Sequence, residues 1–574
     1  MKKLLVYMKG NVRDCILGPL FKMLEATFEL IVPFVIASII DRGIAGKDKT
    51  HIYLMGGLLV LFGIVGLVCA LSAQYFAARA AVEFSSKIKR ALFVKIQSLT
   101  FSEADKIGNS TLITRMTSDI DQIQTGVNLA IRLFLRSPFV VFGAMIMAFT
   151  IDFRSALIFA GVILVLSAVV FGIILVCAPL YKKAQDQLDT LVLYSRESLS
   201  GVRVIRAFNK DKDGRNKFNA ANEILNRMQN FTGRISALLN PLTFVIINAA
   251  LIILIATGAI QADTGRISQG DLVALVNLMS QILVELIKLA NLIITVTKSV
   301  ACANRINEML EKGSAFENGN CEVDISCPTA IEFNDVSLSY NGEGKEAVSG
   351  INFSVKKGSS LGIIGGTGSG KSTVAMLIDR FYDATKGSVK VFGTDVKELD
   401  IGSLRDKIGF VLQKPFLFSE SIKENIKIGA TSADDVDVKH ALESSLSYDF
   451  VEKKENGMDT QVSSGGTNLS GGQKQRLTIA RALVRKPEIL ILDDSSSALD
   501  YATEKKLKES VASLDYSPTV VTVSQRASSV MKCDSILVLD DGRQVAFGDH
   551  EHLMKTCDVY KEIYYSQFER EANA

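Results

Sequence analysis

An α-helical bundle of six transmembrane spans with long cytoplasmic helical loops, followed by an α/β domain, is the fold class predicted by three features of the 574-residue sequence. Six windows are apolar over the roughly 20 residues needed to cross about 30 Å of hydrocarbon. From Ile331 the pattern turns to short strands, beginning IEFNDVSLSY. A glycine-rich string, LGIIGGTGSGKST (Leu361–Thr373), then joins an apolar run to a helix start. A single domain is not expected at this length, since cores stop growing beyond roughly 250–300 residues.

Composition agrees with a membrane chain: mean hydropathy is positive and Trp is absent. The net charge of +3 gives no bulk electrostatic case for a nucleic-acid partner. The eight cysteines have neither metal-site nor disulfide spacing and read as reduced and structural. The opening MKKLL imitates a signal peptide, but Lys9, Arg13 and Asp14 interrupt any apolar core, so no cleavage is expected.

The spans are placed near Ile16–Ile40, Ile52–Phe76, Phe134–Ile151, Ala156–Tyr181, Ile235–Ile260 and Leu272–Thr297. An even number puts both termini on one side. The loops on that side carry Lys87, Lys89, Arg90 and Lys95, then Lys182, Lys183, Arg203, Arg206 and Lys210, which orients them and both termini to the cytoplasm. The expected location is the cytoplasmic (inner) membrane, multi-pass, with lipid as a partner. Each of the two cytoplasmic loops, as an out-and-back helix pair, would reach on the order of 40 Å from the membrane.

Charges within the spans have two readings. Lys22, Glu25 and Glu29 share a helix face, Arg132 and Arg136 open the third span, and Glu285 and Lys288 lie one turn apart in the sixth. They either line a cavity in the bundle, with Glu29 the leading candidate, or mark spans that extend past the interface with i, i+3 pairing.

In the second half, a polar connector over residues 313–330 separates a domain of 1–312 from one of 331–574. Its glycine-rich string reads as a phosphate cradle. Gly365, Gly366, Gly368 and Gly370, interleaved with Thr367 and Ser369, let the backbone wrap phosphates and aim N–H groups inward. The helix opened by Lys371, Ser372 and Thr373 adds the positive end of its dipole. In this G-x-x-x-x-G-K-S spacing Lys371 would reach β/γ-phosphates and Ser372 would hold Mg²⁺, so the expected cofactors are ATP and Mg²⁺.

Further strings resemble the exporter-type ABC transporter family over essentially the whole chain. Ser110–Gln124 and Gly201–Asp211 resemble its two coupling regions, which dock on the nucleotide-binding domains; solvated amphipathic helix is the other reading of both. The resemblance implies that Tyr340 stacks on adenine and that Gln413, in FVLQKPFLFS, touches Mg²⁺ and the attacking water. Leu469 to Gln473, LSGGQ, followed by QRLTIARAL, resembles the family signature. There Ser470, Gly471, Gly472 and Gln473 would face the γ-phosphate bound by the other subunit. In EILILDDSSSALD, Asp493 matches the acid that holds Mg²⁺ through water, and Ser497 to Asp500 match the D-loop, with Asp500 crossing to the partner.

Two positions depart from that pattern. Asp494 stands where the family carries the Glu that polarises water, and a shift of about 1 to 1.5 Å in that carboxylate can cost roughly a hundredfold. Gln525, in VVTVSQRASS, replaces the switch His, and an amide cannot shuttle a proton. His51, His440, His550 and His552 all lie elsewhere. Ser464 also stands where a Glu is common.

The chain thus resembles the degenerate-site subunit of heterodimeric bacterial multidrug-type exporters, with a second half-transporter as partner and a small hydrophobic or amphipathic substrate. A homodimeric exporter with slow hydrolysis and an ABC-type channel or regulator are the alternatives. The six spans argue against a soluble repair or translation factor, and the domain order argues against an importer. Drug, lipid and peptide cargo are not distinguished.

Overall fold

The computed structural model describes residues 3–311, 318–340 and 345–572. The chain divides into two compact units, Met1–Gln97 with Asn109–Lys312, and Ser98–Gly108 with Gly313–Ala574.

Among the described residues six helical stretches of the first unit are long and apolar enough to cross a membrane: Val12–Ile44, Lys49–Gln97, Asn109–Ile151, Phe153–Ser200, Asp211–Asp263 and Gln269–Glu311. Each expected span falls inside one of them. The helices run well past the apolar windows because the loop sequences hold few breakers. The third stretch breaks between Leu133 and Arg136. Pro138 explains the break, because its ring opposes the carbonyl four residues earlier, at Phe134.

Small residues close the helix contacts, as they must where lipid removes the hydrophobic drive between helices. Ala73, Ala77, Ala80 and Ala81 are buried along the second helix. A Cβ on Gly126 would lie 2.2 Å from Ser299 Oγ, so the helix Ile120–Leu133 and the last span meet with no room for a side chain. Asp41, in a π-helical turn at Ile39–Ile44, accepts from Gly270 N at 2.9 Å and so caps the last span.

The intramembrane charges pair with one another. Lys22 donates to Glu25 at 2.6 Å and Lys288 to Glu285 at 2.8 Å, the two local pairs expected at i, i+3. Arg136 adds a link the spacing does not give, bridging Glu29 at 2.5 Å to the buried Glu285.

The second unit holds a ten-stranded sheet in the order β5-β4-β1-β2-β10-β9-β3-β8-β7-β6. The strands are β1 (Thr329–Leu338), β2 (Val348–Lys356), β3 (Ser360–Gly365), β4 (Lys386–Val391), β5 (Thr394–Asp395), β6 (Ile408–Val411), β7 (Ile489–Asp493), β8 (Thr519–Ser524), β9 (Ser535–Asp540) and β10 (Arg543–Gly548). β9, β3, β8, β7 and β6 run parallel, whereas β1, β2, β4 and β5 pair antiparallel. β3 and β7 are near-continuous apolar runs because parallel strands are covered on both faces.

Two differences from expectation concern boundaries. Of the connector 313–330, residues 313–317 lie outside the described residues. The following stretch is laid along the second unit, where Cys321 bridges to Leu399 and Asn318 Nδ2 donates to Asp400 at 2.7 Å. The loop segment that packs on this unit is Ser98–Gly108, just ahead of Ser110–Gln124, which belongs to the first unit. Its helix Phe101–Ile107 stacks Phe101 on Phe381 at 4.5 Å, and Tyr382 donates to Asp105 at 3.0 Å. A capping box starts it: Glu103 N donates to Thr100 Oγ1, and Thr100 N donates to the Glu103 carboxylate.

Candidate functional site

Parallel strands that end at one edge bring loops together, and that edge is where this site forms. β3 ends at Gly365, β7 at Asp493 and β8 at Ser524, in register through Ile364–Ser524 and Asp493–Val523. The loops that follow them carry the glycine-rich string, Asp494 and Gln525. They share a cavity of about 330 Å³ lined by Tyr340, Thr367, Gly368, Gly370, Lys371, Ser372, Thr373, Gln413, Asp493, Asp494 and Gln525.

Gly370 caps the helix Lys371–Ile378 at φ +89°, and a Cβ there would meet Val348 at 2.5 Å. Gly365 is equally constrained, 2.2 Å from Leu539 O in the same test. Lys371 is buried and donates to Gly365 O at 3.0 Å and Gly366 O at 2.6 Å, with Ser369 Oγ at 3.5 Å. It makes no salt bridge among the described residues. Burial pushes its pKa down, opposed by the carboxylates of Asp494 and Asp493. A buried ammonium held only by neutral acceptors, beside a strand-to-helix glycine loop, fits a polyphosphate.

Ser372 Oγ donates to Asp493 Oδ1 at 2.8 Å. Asp493 is buried, and burial raises its pKa against the lowering effect of that bond. A hydroxyl and a carboxylate oxygen at this spacing suit Mg²⁺, which takes one or two carboxylates and completes its shell with water and phosphate. Gln413 Nε2 donates to Asp494 Oδ2 at 3.2 Å, and Thr367 Oγ1 donates to Gln525 Oε1 at 3.4 Å. Asp494 and Gln525 thus both line the cavity of the glycine-rich loop. Asp494 sits at φ +46°, its N–H on Val523 O.

Tyr340 follows β1 at the cavity mouth, half-exposed. Its hydroxyl lies 2.8 Å from Thr373 Oγ1 and its ring stands edge-on to Tyr382 at 4.9 Å. Ala347 and Val523 also line the cavity, and sequence reasoning missed both. Ala347 carries no chemical signal; Val523, two residues before Gln525 at the end of β8, could have been found from the strand pattern.

Ser470, Gly471, Gly472, Gln473 and Asp500 do not line this cavity. Ser470 and Gln473 form a capping box on the helix Gly471–Leu483, Ser470 N donating to Gln473 Oε1 at 3.1 Å and Gln473 N to Ser470 Oγ at 3.3 Å. A Cβ on Gly472 would lie 3.1 Å from Ala498 O, so the signature and Ser497–Asp500 strings pack side by side. Asp500 caps the next helix through Thr503 N at 3.1 Å, and the Thr503 side chain together with that N–H lowers its pKa.

Residues 15–286 match the family model described as ABC transporter transmembrane region, and residues 348–497 match that described as ABC transporter. The uncharacterized ABC transporter ATP-binding protein YfiB of Bacillus subtilis (strain 168) is 32% identical over 574 residues, 100% of both chains. YfiC of the same strain, similarly described, is 31% identical over 99% of this chain and 94% of its own. A solved bacterial Atm1-family ABC exporter with ATP bound shares the fold, at TM-score 0.83 and 23% identity over 97% of this chain and 98% of that one. The chain therefore belongs to the ABC transporter family, as an exporter-fold half-transporter whose transmembrane region is fused ahead of an ATPase domain that binds ATP.

Proposed function

We propose that the chain is one subunit of a heterodimeric ABC exporter of hydrophobic or amphipathic substrates in the cytoplasmic membrane, with both termini in the cytoplasm. Its own nucleotide site holds Mg-ATP and hydrolyses it slowly. The observation that carries this reading is the pairing of Asp494 and Gln525 in one cavity with the glycine-rich loop. In that site Lys371 and the glycine loop hold the phosphates, Tyr340 the adenine, and Ser372, Asp493 and Gln413 the metal. Among the described residues that line the cavity there is no Glu and no His. Ser470, Gly471, Gly472, Gln473 and Asp500 complete the partner's site.

ABC exporters work as dimers, and the short helix Val202–Ala207 supports a partner: Val204 and Phe208 at its tip are exposed. Apolar side chains in a short cytoplasmic turn are suited to docking on another ATPase domain.

Steady-state ATPase of the purified chain tests the reading. The chain alone is expected to turn over slowly, and Asp494→Glu with Gln525→His is expected to raise turnover by roughly 10²- to 10⁴-fold, the usual contribution of a general base. Robust hydrolysis by the unpaired wild-type chain would support a homodimer instead.

A further inference from the structure

The helix Asp558–Ala572 packs on the ATPase unit through one face. Tyr560 is fully buried, and Ile563, Tyr564 and Phe568 pack with it against a cluster that holds Ile364, Ala527, Val530 and Leu553. The spacing 560, 563, 564, 568 is that of an amphipathic helix, and position 567, one turn after 563 and 564, falls on the same face. A glutamine stands there. Its amide makes two hydrogen bonds to one backbone segment: Gln567 Nε2 donates to Gln525 O at 2.9 Å, and Gln567 Oε1 accepts from Ala527 N at 2.8 Å. We propose that Gln567 is a positioning residue for the nucleotide site, fixing the loop after β8 so that the Gln525 side chain presents an N–H to the terminal phosphate of ATP. The inference rests on the proposed place of Gln525 in that site.

Little in the loop itself fixes it. β8 ends at Ser524, whose Oγ accepts from Arg526 N at 3.0 Å. The helix that follows, Ala527–Val530, has four residues and is too short to stand on its own hydrogen bonds. Its first N–H groups have no partner within the helix, and Arg526, which precedes it, makes no side-chain cap. Gln567 supplies the acceptor for one of those groups. It also satisfies the Gln525 carbonyl, one residue beyond the last strand pair, Ile364–Ser524. One amide thus holds the backbone on both sides of Arg526, and it is itself held by the apolar face of a fifteen-residue helix.

What the clamp orients is a donor without a partner. Gln525 lines the cavity with Lys371, Ser372 and Asp493, and its Oε1 accepts from Thr367 Oγ1 at 3.4 Å. Its Nε2 makes no hydrogen bond among the described residues. The pairing of Asp493 with Val523 sets Gln525 two residues beyond the partner of Asp493, on the metal-holding side of the cavity. In P-loop sites the metal bridges β- and γ-oxygens, so a donor on this side meets the phosphate that ADP lacks. An amide cannot move a proton, but it can donate. Gln525 therefore senses the third phosphate without hydrolysing it.

The full chain in detergent is titrated, with Mg²⁺, against ADP and against an ATP analogue with a β,γ-imido bridge, which removes hydrolysis from the measurement. Gln525→Ala is expected to weaken the analogue about tenfold and ADP by less than about twofold, in line with the loss of one hydrogen bond to a charged group. Gln567→Met keeps the length and packing of the side chain and removes both bonds; the analogue should weaken roughly three- to tenfold with ADP again unchanged. Gln567→Glu keeps the acceptor for Ala527 N but sets a carboxylate against Gln525 O, and should give the same split. In the Gln525→Ala background Gln567→Met should have no further effect on the analogue. Equal weakening of both nucleotides by Gln567→Met would make its role structural only and overturn the proposal. An unchanged analogue affinity, or the same loss in the wild-type and Gln525→Ala backgrounds, would overturn it as well. If Gln525→Ala leaves the ratio of the two affinities unchanged, the place of Gln525 beside the γ-phosphate is itself wrong and the clamp has nothing to position. A response at Gln525 with none at Gln567 removes the clamp alone and leaves the exporter reading intact.

Discussion

Lys371 and Asp379 sit at the two ends of one eight-residue helix, and burial acts on both. At Lys371, loss of water is tolerated because an anion is to arrive there. Lys371→Ala removes a charge-assisted contact of about 1.5–3 kcal/mol, so ATP affinity should fall roughly ten- to a hundredfold in an equilibrium binding assay. At Asp379 the compensation from neighbouring charges is smaller than the cost of burial. Asp379 is 5% exposed, its Oδ1 has no hydrogen-bond partner among the described residues, and burial pushes its pKa from 3.8 to about 7 against the pull of Arg405 and Arg485. Below about pH 4 the carboxyl is protonated in both folded and unfolded chain and contributes nothing to pH dependence. Between about 4 and 7 the unfolded chain ionises while the folded one keeps the proton, so stability falls as pH rises, by at most about 1.4 kcal/mol per unit, and levels off above 7. Asp379→Asn should flatten that slope in the apparent unfolding midpoint measured from pH 5 to 8; an unchanged slope would show that Asp379 ionises freely in the fold.

At the scale of elements, the contact between Ile120–Leu133 and the last span depends on one missing methyl group. Ser299 Oγ occupies the space beside Gly126 and donates to Gln122 O at 2.9 Å. Alanine is the better helix former by about 1 kcal/mol, yet Gly126→Ala should destabilise the chain by about 1–3 kcal/mol through overpacking. Gly161, on the fourth span, has open space about its Cβ position, so Gly161→Ala should be neutral or mildly stabilising. Thermal inactivation of the two variants in detergent checks the contrast in sign. The helix Phe101–Ile107 is a second case in which neighbours decide an element's place. Its T-x-x-E start was readable in Thr100–Glu103, but its docking face was not, because Asp105 and Tyr382 are 277 positions apart.

For the whole molecule, the proposed heterodimer predicts asymmetry. In it this chain would give its glycine loop and Asp494 to one composite site, and its LSGGQ string and Asp500 to the other. Gly471→Asp puts a negative charge at a helix N-terminus that a γ-phosphate must approach, and should nearly abolish hydrolysis by the pair. If Asp494 is too short to act as the base, as proposed, Asp494→Asn should change turnover by less than about tenfold, below the usual range for a general base. The measurement is steady-state ATPase of the reconstituted pair with each change in this chain alone. Loss of activity with Asp494→Asn and survival with Gly471→Asp would move the hydrolytic site to this chain.

The sequence by itself determined the six spans, the strand-to-helix glycine loop, Asp493 at the end of an apolar strand and the helix after LSGGQ. Each is a local pattern: hydrophobic length, a fixed glycine spacing, an apolar run ending in acid, or a short signature string. Tertiary structure alone decided which of these meet. Gln413 reaches Asp494 across 81 positions and Gln525 reaches Thr367 across 158, because parallel strands distant in sequence end at one sheet edge. In the membrane unit, Lys22–Glu25 and Glu285–Lys288 were legible as pairs one turn apart. Arg136 bridging Glu29 and Glu285 was not, since a helical period fixes the face a charge occupies but not the helix that the face will meet.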